Sequence, residues 1–433
     1  MNYTEARAFI QEISVRGSEL GLETIANLLK LLGNPQDDLK FIHIAGTNGK
    51  GSVLAYLSTV LEQSGYRVGR YISPTLFSYR ERIQINRERI SREDFAEAAS
   101  QAAEAYTQMK QLGLALPTVF EVETAISFLY FKKKKCDLVM LEVGMGGRLD
   151  ATNIIRTPVL TMLASISMDH MEFLGNTLAE IAWNKAGIIK PGIPVVSAHQ
   201  EAASERVIAE EAEKNGSECR FVDLEQITEV CYGLESQSFH YGEFGRIDIS
   251  LAGAQQIENA ALALEGAAAL RRSGYDIPEA ALHRGMRETV WKGRFSAIHK
   301  KPLFIIDGAH NPDAAQRLRD SILKYFKNRK KYYIFGVFSD KEYDKIIEIT
   351  ADLAEHIYTI ETPDNPRALP AEKLTEAVRR KNPSVETAGS IQNAVDKSFA
   401  TAGPEDVIIA FGSLSFLGAV EQAVKMYDER RGE

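Results

Sequence analysis

A chain of 433 residues, 45% of them hydrophobic, with a net charge of −8, is long enough for two or three domains with sizeable cores and too acidic for a general nucleic-acid surface. No run approaches the eighteen apolar residues of a membrane span and Met1 to Gln11 lacks a signal-peptide pattern, so a cytoplasmic protein without membrane or nucleic-acid partners is expected. Cys136, Cys219 and Cys231 are too few and too scattered for a disulfide framework or a metal knuckle, and they are expected to be reduced.

The first apolar strand, Phe41 to Ala45, runs into Gly46-Thr47-Asn48-Gly49-Lys50-Gly51-Ser52 and then a helix from about Lys50 to Gln63. Strand, glycine loop and helix form a phosphate cradle: the glycines let backbone N–H groups converge on an anion at the positive end of the helix dipole, and Lys50 adds a mobile charge. It is not a standard Walker loop. Ile44 stands where that pattern wants a glycine, and Gly51 intrudes between Lys50 and the hydroxyl of Ser52, which leaves open which hydroxyl reaches a metal. The strand Arg67 to Ile72 completes a βαβ unit and predicts a largely parallel sheet, at whose carboxyl ends ligands bind. Ser73, before Pro74, falls there, as a metal or phosphate ligand or as a simple Ser-Pro turn.

Helices are predicted near Arg92 to Leu112 and Phe120 to Lys134, the basic run Lys132 to Lys135 being a solvated helix end. The buried strand Leu138 to Val143 carries one carboxylate, Glu142, at its end, where burial demands a cation and magnesium on phosphate oxygens is the natural partner. In the glycine-rich segment that follows, Asp150 either caps a helix, pairs with Arg148 or faces a ligand. The strand Pro158 to Ile166 leads to Asp169-His170, His170 being a core histidine or a ligand. On the helix Thr177 to Ile188, Lys185 lies among apolar residues, either snorkelling or serving chemistry. Lys190-Pro191-Gly192 closes that helix and Pro194 to Ser197 starts a strand. From Glu218 to Leu251 short alternating stretches predict an antiparallel addition on the same sheet.

A second αβ series follows: strand Leu303 to Asp307, helix Ala314 to Phe326, strand Tyr332 to Val337, helix Lys341 to Leu353, strand His356 to Thr359 and strand Val407 to Phe411. The boundary is set near Ser296. Trp291-Lys292-Gly293-Arg294 before it and Asp307-Gly308-Ala309-His310-Asn311-Pro312 after it offer a cation, a carboxylate and an imidazole to a cleft between domains. No heptad pattern is visible, and a monomer is expected.

These motifs, in this order and over nearly the whole chain, resemble the Mur ligase superfamily and, within it, the folylpolyglutamate synthase/dihydrofolate synthase family. The resemblance rests on His43 to Ser52, Ser73-Pro74 with Glu81-Arg82-Ile83, Glu142 to Asn153, Asp169-His170, Lys185 to Lys190 and Asp307 to Pro312. It implies an α/β architecture: residues 1–295 as a P-loop-type, mostly parallel ATP-binding domain with helices on both faces and folate-binding segments, and residues 296–433 as a smaller Rossmann-like domain. It also implies ATP phosphates on Gly46 to Ser52, two magnesium sites on Ser73, Glu142, His170 and a carbamylated Lys185, and nucleotide contacts from Asn259, Arg294 and Asp307. Catalytic roles fall to Lys50, Lys185 and His310, and pterin-binding segments to Ser18-Glu19-Leu20-Gly21, Thr118-Val119-Phe120-Glu121 and Leu149-Asp150-Ala151. Thr75 departs from the family's Ser-Pro-His-Leu. The implied reaction joins L-glutamate to a folate or dihydropteroate carboxylate through an acyl phosphate. A Mur-type amino-acid ligase of cell-wall synthesis is the alternative.

Overall fold

A computed structural model describes every residue except Val15, Arg16, Ser18, Glu19, Asp364, Gly432 and Glu433. Ser18 and Glu19, expected to touch a pterin, thus lie outside the described residues.

Eight strands form the first sheet: β1 (Phe41–Ala45), β2 (Val68–Tyr71), β3 (Ile83–Ile85), β4 (Glu88–Arg89), β5 (Leu138–Glu142), β6 (Pro158–Leu163), β7 (Val195–Ser197) and β8 (Cys219–Phe221). Their order is β4-β3-β2-β5-β1-β6-β7-β8, parallel from β2 to β8, with β3 and β4 as an antiparallel edge hairpin. Because side chains alternate along a strand, Ile42, Ile44 and Met140 enter one core with the helices Lys50–Gln63 and Gln255–Arg272. Phe41, Val139 and Leu141 enter a second core with Arg92–Gln111 and Val119–Lys133. Burial on both faces explains the near-continuous apolar runs. From β1 the chain passes to β2 on one side of the sheet, and from β5 it crosses over β1 to β6 on the other, so the loops after β1, β5 and β6 meet at a topological switch point.

Residues 218–251 depart from expectation. Cys219–Phe221 continues the parallel sheet as β8, and β9 (Ile227–Cys231), β10 (Gln237–Tyr241) and β11 (Arg246–Ile249) form a separate three-stranded antiparallel sheet. Its inward residues Phe239, Tyr241, Ile247 and Ile249 bury themselves in the core shared with Gln255–Arg272, which covers far more apolar surface than pairing on an edge would.

The second sheet comprises β12 (Ser296–Lys300), β13 (Leu303–Ile306), β14 (Lys331–Phe335), β15 (His356–Thr359), β16 (Val385–Thr387) and β17 (Val407–Phe411), ordered β12-β13-β17-β14-β15-β16. All pair in parallel except β12, an antiparallel edge that its mixed exposure hides from pattern reading. The basic run is a solvated helix end, as expected: Lys132 pairs with Asp38, and Lys133 and Lys134 with Asp94. The three cysteines are free thiols.

The loop after β2, which carries Ser73, is anchored by the Glu81-Arg82 pair. Glu81 accepts hydrogen bonds from the backbone N–H groups of Leu76 and Phe77, each at 3.1 Å. Arg82 pairs with the buried Glu123 at 3.2 Å, and Tyr79 donates its hydroxyl to the same carboxylate. Glu123→Ala leaves the Arg82 charge buried without its partner and is expected to cost about 3–5 kcal/mol, read as a fall in the urea midpoint. An unchanged midpoint would remove this anchor from the account.

Candidate active site

The cradle is built where the sequence places it. Gly49, at φ +88°, caps the helix Lys50–Gln63 in the left-handed region, and a Cβ there would lie 2.5 Å from Asn259 Oδ1. The intruding Gly51 has a tertiary cause: a Cβ at this position would lie 2.7 Å from the ring of Trp291. The Trp291-Lys292-Gly293-Arg294 segment thus packs directly on the loop. Thr47 and Asn48 donate their backbone N–H groups to Ser165 O, at 2.8 and 3.2 Å. This contact holds residues 164–170 as loop, which is why the strand predicted to reach Ile166 stops at Leu163.

Two lysines share one carbonyl. Lys50 Nζ donates to Gly46 O at 2.9 Å and Lys185 Nζ donates to the same oxygen at 3.0 Å. Lys185 is buried and Lys50 partly so; burial first, then repulsion from Lys50, pushes Lys185 down to about 7, and Lys50 is lowered mainly by desolvation. Snorkelling is therefore not what Lys185 does. Glu142 ends β5 beside them and accepts the Ser73 N–H at 3.1 Å; burial raises its pKa while Lys50 pulls it down.

The loop after β6 adds Asp169 and His170. Burial opposes ionisation of Asp169, but the Lys341 ammonium at 2.7 Å and the two nearby imidazoles hold it well below the usual carboxylate range. Partly exposed, with φ +51°, His170 is pushed down to about 4, chiefly by desolvation, and is neutral at physiological pH. From the second sheet, Asp307 accepts the N–H groups of Phe295 and Ala309 at 2.8 Å each, and burial raises its pKa against the pull of Arg294. His310 Nδ1 donates to Gly308 O at 2.7 Å, leaving Nε2 3.8 Å from Asp169.

Gly46 to Ser52, Ser73, Glu142, His170, Lys185, Asn259, Arg294, Asp307 and His310 all line one cleft between the two sheets. The described residues of the expected pterin segments do not line it. They gather beside it: Gly21 donates its N–H to Leu149 O at 3.1 Å, and the Phe120 ring packs under Gly144 at the cleft's edge. Thr118 and Glu121 form a capping box on the helix Val119–Lys133. Of the alternatives for Asp150, the cap is realised: it accepts from Thr152 N at 3.0 Å and holds the Gly144 and Met145 N–H groups, while Arg148 pairs with Glu211.

Residues 44–267 match the Mur ligase middle domain and residues 293–414 the Mur ligase glutamate ligase domain. The chain is 33% identical to the dihydrofolate synthase/folylpolyglutamate synthase of Bacillus subtilis, over 98% of its own length and 99% of that protein's. The chain belongs to this family. In fold it is similar to the Mycobacterium tuberculosis folylpolyglutamate synthase complexed with ADP, with a TM-score of 0.89 at 27% identity over 98% of this chain and 99% of the other. An Escherichia coli relative in complex with DHPP and ADP gives 0.85 at 28% identity over 100% and 99%. As a member of the family the chain is an ATP-dependent ligase of the folylpolyglutamate synthase/dihydrofolate synthase type.

Sequence reading missed the clasp between the two halves of this ligase. Asn48 donates to Asp313 at 2.7 Å and to Asn311 at 3.2 Å, Asn311 donates to Asp169 at 3.1 Å, and Arg317 reaches Ser165 and Glu258. Lys341 and Arg317 carry no local signal, since a charged residue in a loop or on an amphipathic helix is the commonest of patterns. Among the described residues no three His, Cys, Asp or Glu side chains converge on a metal site. Ser73 and Glu142 nonetheless suit magnesium, which takes few protein oxygens and leaves the rest to phosphate and water. His170 with an unmodified Lys185 does not suit a second cation, because an ammonium repels it.

Proposed function

We propose that the chain joins L-glutamate to the carboxylate of a folate or dihydropteroate at the expense of ATP. The observation that carries this reading is the convergence of Lys50, Lys185, Glu142 and Ser73 from the first sheet with Arg294, Asp307 and His310 from the second. ADP and DHPP in the solved relatives support nucleotide and pteroate as its ligands.

A carboxylate is not aminated directly because oxide is a poor leaving group. Its oxygen attacks the γ-phosphorus of ATP, and ADP departs. The glutamate amine then attacks the acyl carbon of the acyl phosphate and phosphate leaves as the amide forms. Lys50 and the loop N–H groups stabilise charge on the transferring phosphoryl oxygens, the largest contribution expected in such a site. Asn259, Arg294 and Asp307 hold the nucleotide, and His310, neutral with Nδ1–H fixed on Gly308 O, presents an unprotonated Nε2 that can accept an N–H of the incoming amine and take the proton it loses. Magnesium, when bound, supplies positive charge among the phosphate oxygens, with Ser73 and Glu142 as donors at one site and His170 with N-carboxylated Lys185 at the other.

Lys185 is poised for that modification. With a pKa of about 7 much of the amine is neutral at physiological pH, and neutral amine adds carbon dioxide with loss of one proton, turning a cation into an anion. It also ends the crowding of two ammonium groups on Gly46 O. Carbon-13 NMR of protein equilibrated with labelled bicarbonate is expected to show one carbamate resonance, absent in Lys185→Ala; its absence from the unmodified chain overturns the assignment.

The pterin is assigned to the Gly21, Thr118–Glu121 and Leu149–Ala151 segments beside the cleft. The domains are divided at 295/296, the second closing over the nucleotide to exclude water. The enzyme acts as a cytoplasmic monomer. Purified protein with ATP, magnesium and glutamate is expected to release ADP with dihydropteroate or tetrahydrofolate. Silence with both, alongside turnover of a cell-wall peptide precursor, would sink the folate reading.

A further inference from the structure

A second cavity, of about 250 Å³, opens from the cleft behind Ser73, sharing Gly51, Ser73, Pro74, Glu142 and Arg294 with it. Its lining mixes the apolar Ile72, Leu76, Phe77 and Trp291 with the cations Arg70, Arg87, Arg89 and Lys292 and the carboxylates Glu81 and Glu142. Three of these cations already have acids: Arg87 forks onto Glu62 at 2.8 and 2.9 Å, Arg89 meets Glu81 at 2.9 Å, and Lys292 meets Glu421 at 2.9 Å.

Arg70 is different. It is only 2% exposed; among the described residues its one hydrogen bond runs from Nη2 to Thr59 Oγ1 at 3.1 Å, its Nε has no hydrogen-bond partner, and the acid that acts on it is Glu62, which Arg87 already forks onto. A guanidinium carries five donors, and leaving them unmet in a buried site is costly unless an anion arrives. The register gives the cavity a direction. Arg70 pairs with Gln84 across β2 and β3, and Gln84 with Arg89 across β3 and β4, so the three side chains form a row on one face of the sheet. Strands stand roughly 4.8 Å apart, so this row leads from beside the reaction centre to the sheet edge in steps comparable to one glutamyl unit.

We propose that this cavity is a subsite for glutamyl carboxylates, with Arg70 as its anchoring cation and the Gln84–Arg89 row as its continuation. The proposal rests on the reading of the chain as a glutamate ligase. Several cations in file suit a repeating polyanion, the tail of γ-linked glutamates already on the acceptor, better than a single amino acid; the incoming L-glutamate carries the same chemistry.

The test compares Arg70→Gln, which keeps a donor for Thr59, and the exposed-site variant Arg89→Gln with the unmodified enzyme. KM is measured for tetrahydrofolate mono- and triglutamate and for L-glutamate, and thermal midpoints with and without the dipeptide γ-glutamyl-glutamate. Arg70→Gln is expected to raise KM for the triglutamate at least about tenfold, the loss of one charge-assisted contact, with little change for the monoglutamate. A selective rise for L-glutamate supports the subsite and assigns it to the incoming amino acid. Equal KM values for all three ligands overturn the proposal, the more so if the unliganded variant loses stability, as a structural arginine would. Where Arg70→Gln does not fold, a triglutamate-selective effect of Arg89→Gln decides in favour and its absence against. If no folate is turned over, the ligase reading falls by itself, while midpoint stabilisation by the dipeptide, lost in Arg70→Gln, still reports the subsite.

Discussion

Lys185→Ala is expected to lower turnover by about 10²–10³-fold, the usual consequence of removing one electrostatic element from a preorganised site. Short carboxylates such as acetate or propionate are expected to restore part of it, because the space left by the side chain can admit the anion that the carbamate supplied. Lys185 Nζ lies 3.0 Å from Gly46 O inside the phosphate loop, so a diffusing carboxylate would arrive beside the transferring group. In the fraction of protein that is not carbamylated, removing the side chain also ends the repulsion between Lys185 and Lys50, so there the fold is not expected to suffer from the lost charge. A variant that stays inactive at every carboxylate concentration, yet unfolds at the normal midpoint, would count against the carbamate.

The second large effect is at Glu142. Its alanine variant is expected to lose about 10²–10³-fold in turnover with a steeply raised magnesium requirement. Among the described residues the Ser73 N–H is the one hydrogen-bond donor to this buried carboxylate, and burial pushes its pKa up against the pull of Lys50 and Arg294. The folded chain therefore carries it at a cost, and the variant's unfolding midpoint is expected to stay within about 1 kcal/mol of the parent or to rise. Normal turnover would remove Glu142 from the site. A collapsed midpoint would make it a structural carboxylate.

Much of the fold was legible because both sheets are buried on both faces: β1, β5, β14 and β17 read as continuous apolar runs, and the amphipathic helices between them kept their period. The helix Lys50–Gln63 and the strands His356–Thr359 and Val407–Phe411 lie where the pattern placed them. The antiparallel strands of residues 227–249 were harder, since alternation shows that one face is buried but not against what. Here the partner is the helix Gln255–Arg272 and not the edge of the first sheet. In the cleft, residues with local signatures were readable: glycines before a helix, a carboxylate ending an apolar strand, Asp-His at another strand end, a lysine on an apolar helix. Asp169's pairing with Lys341 and the unpaired Nε of the buried Arg70 were not, because each depends on residues far apart in the chain.

By itself the sequence determined the layered α/β class, the phosphate cradle, the family and about half of the residues that line the cleft. These are properties of short segments, in which spacing alone sets burial, dipole and backbone freedom. Only the tertiary structure decided that Gly51 exists to admit Trp291, that Asp150 caps its own loop, that Lys50 and Lys185 compete for one carbonyl, and that the buried Arg70 stands in a row with Gln84 and the exposed Arg89. Each of these is a contact between segments that the chain brings together only when both cores close, and their energies arise from desolvation and charge, which no local pattern encodes.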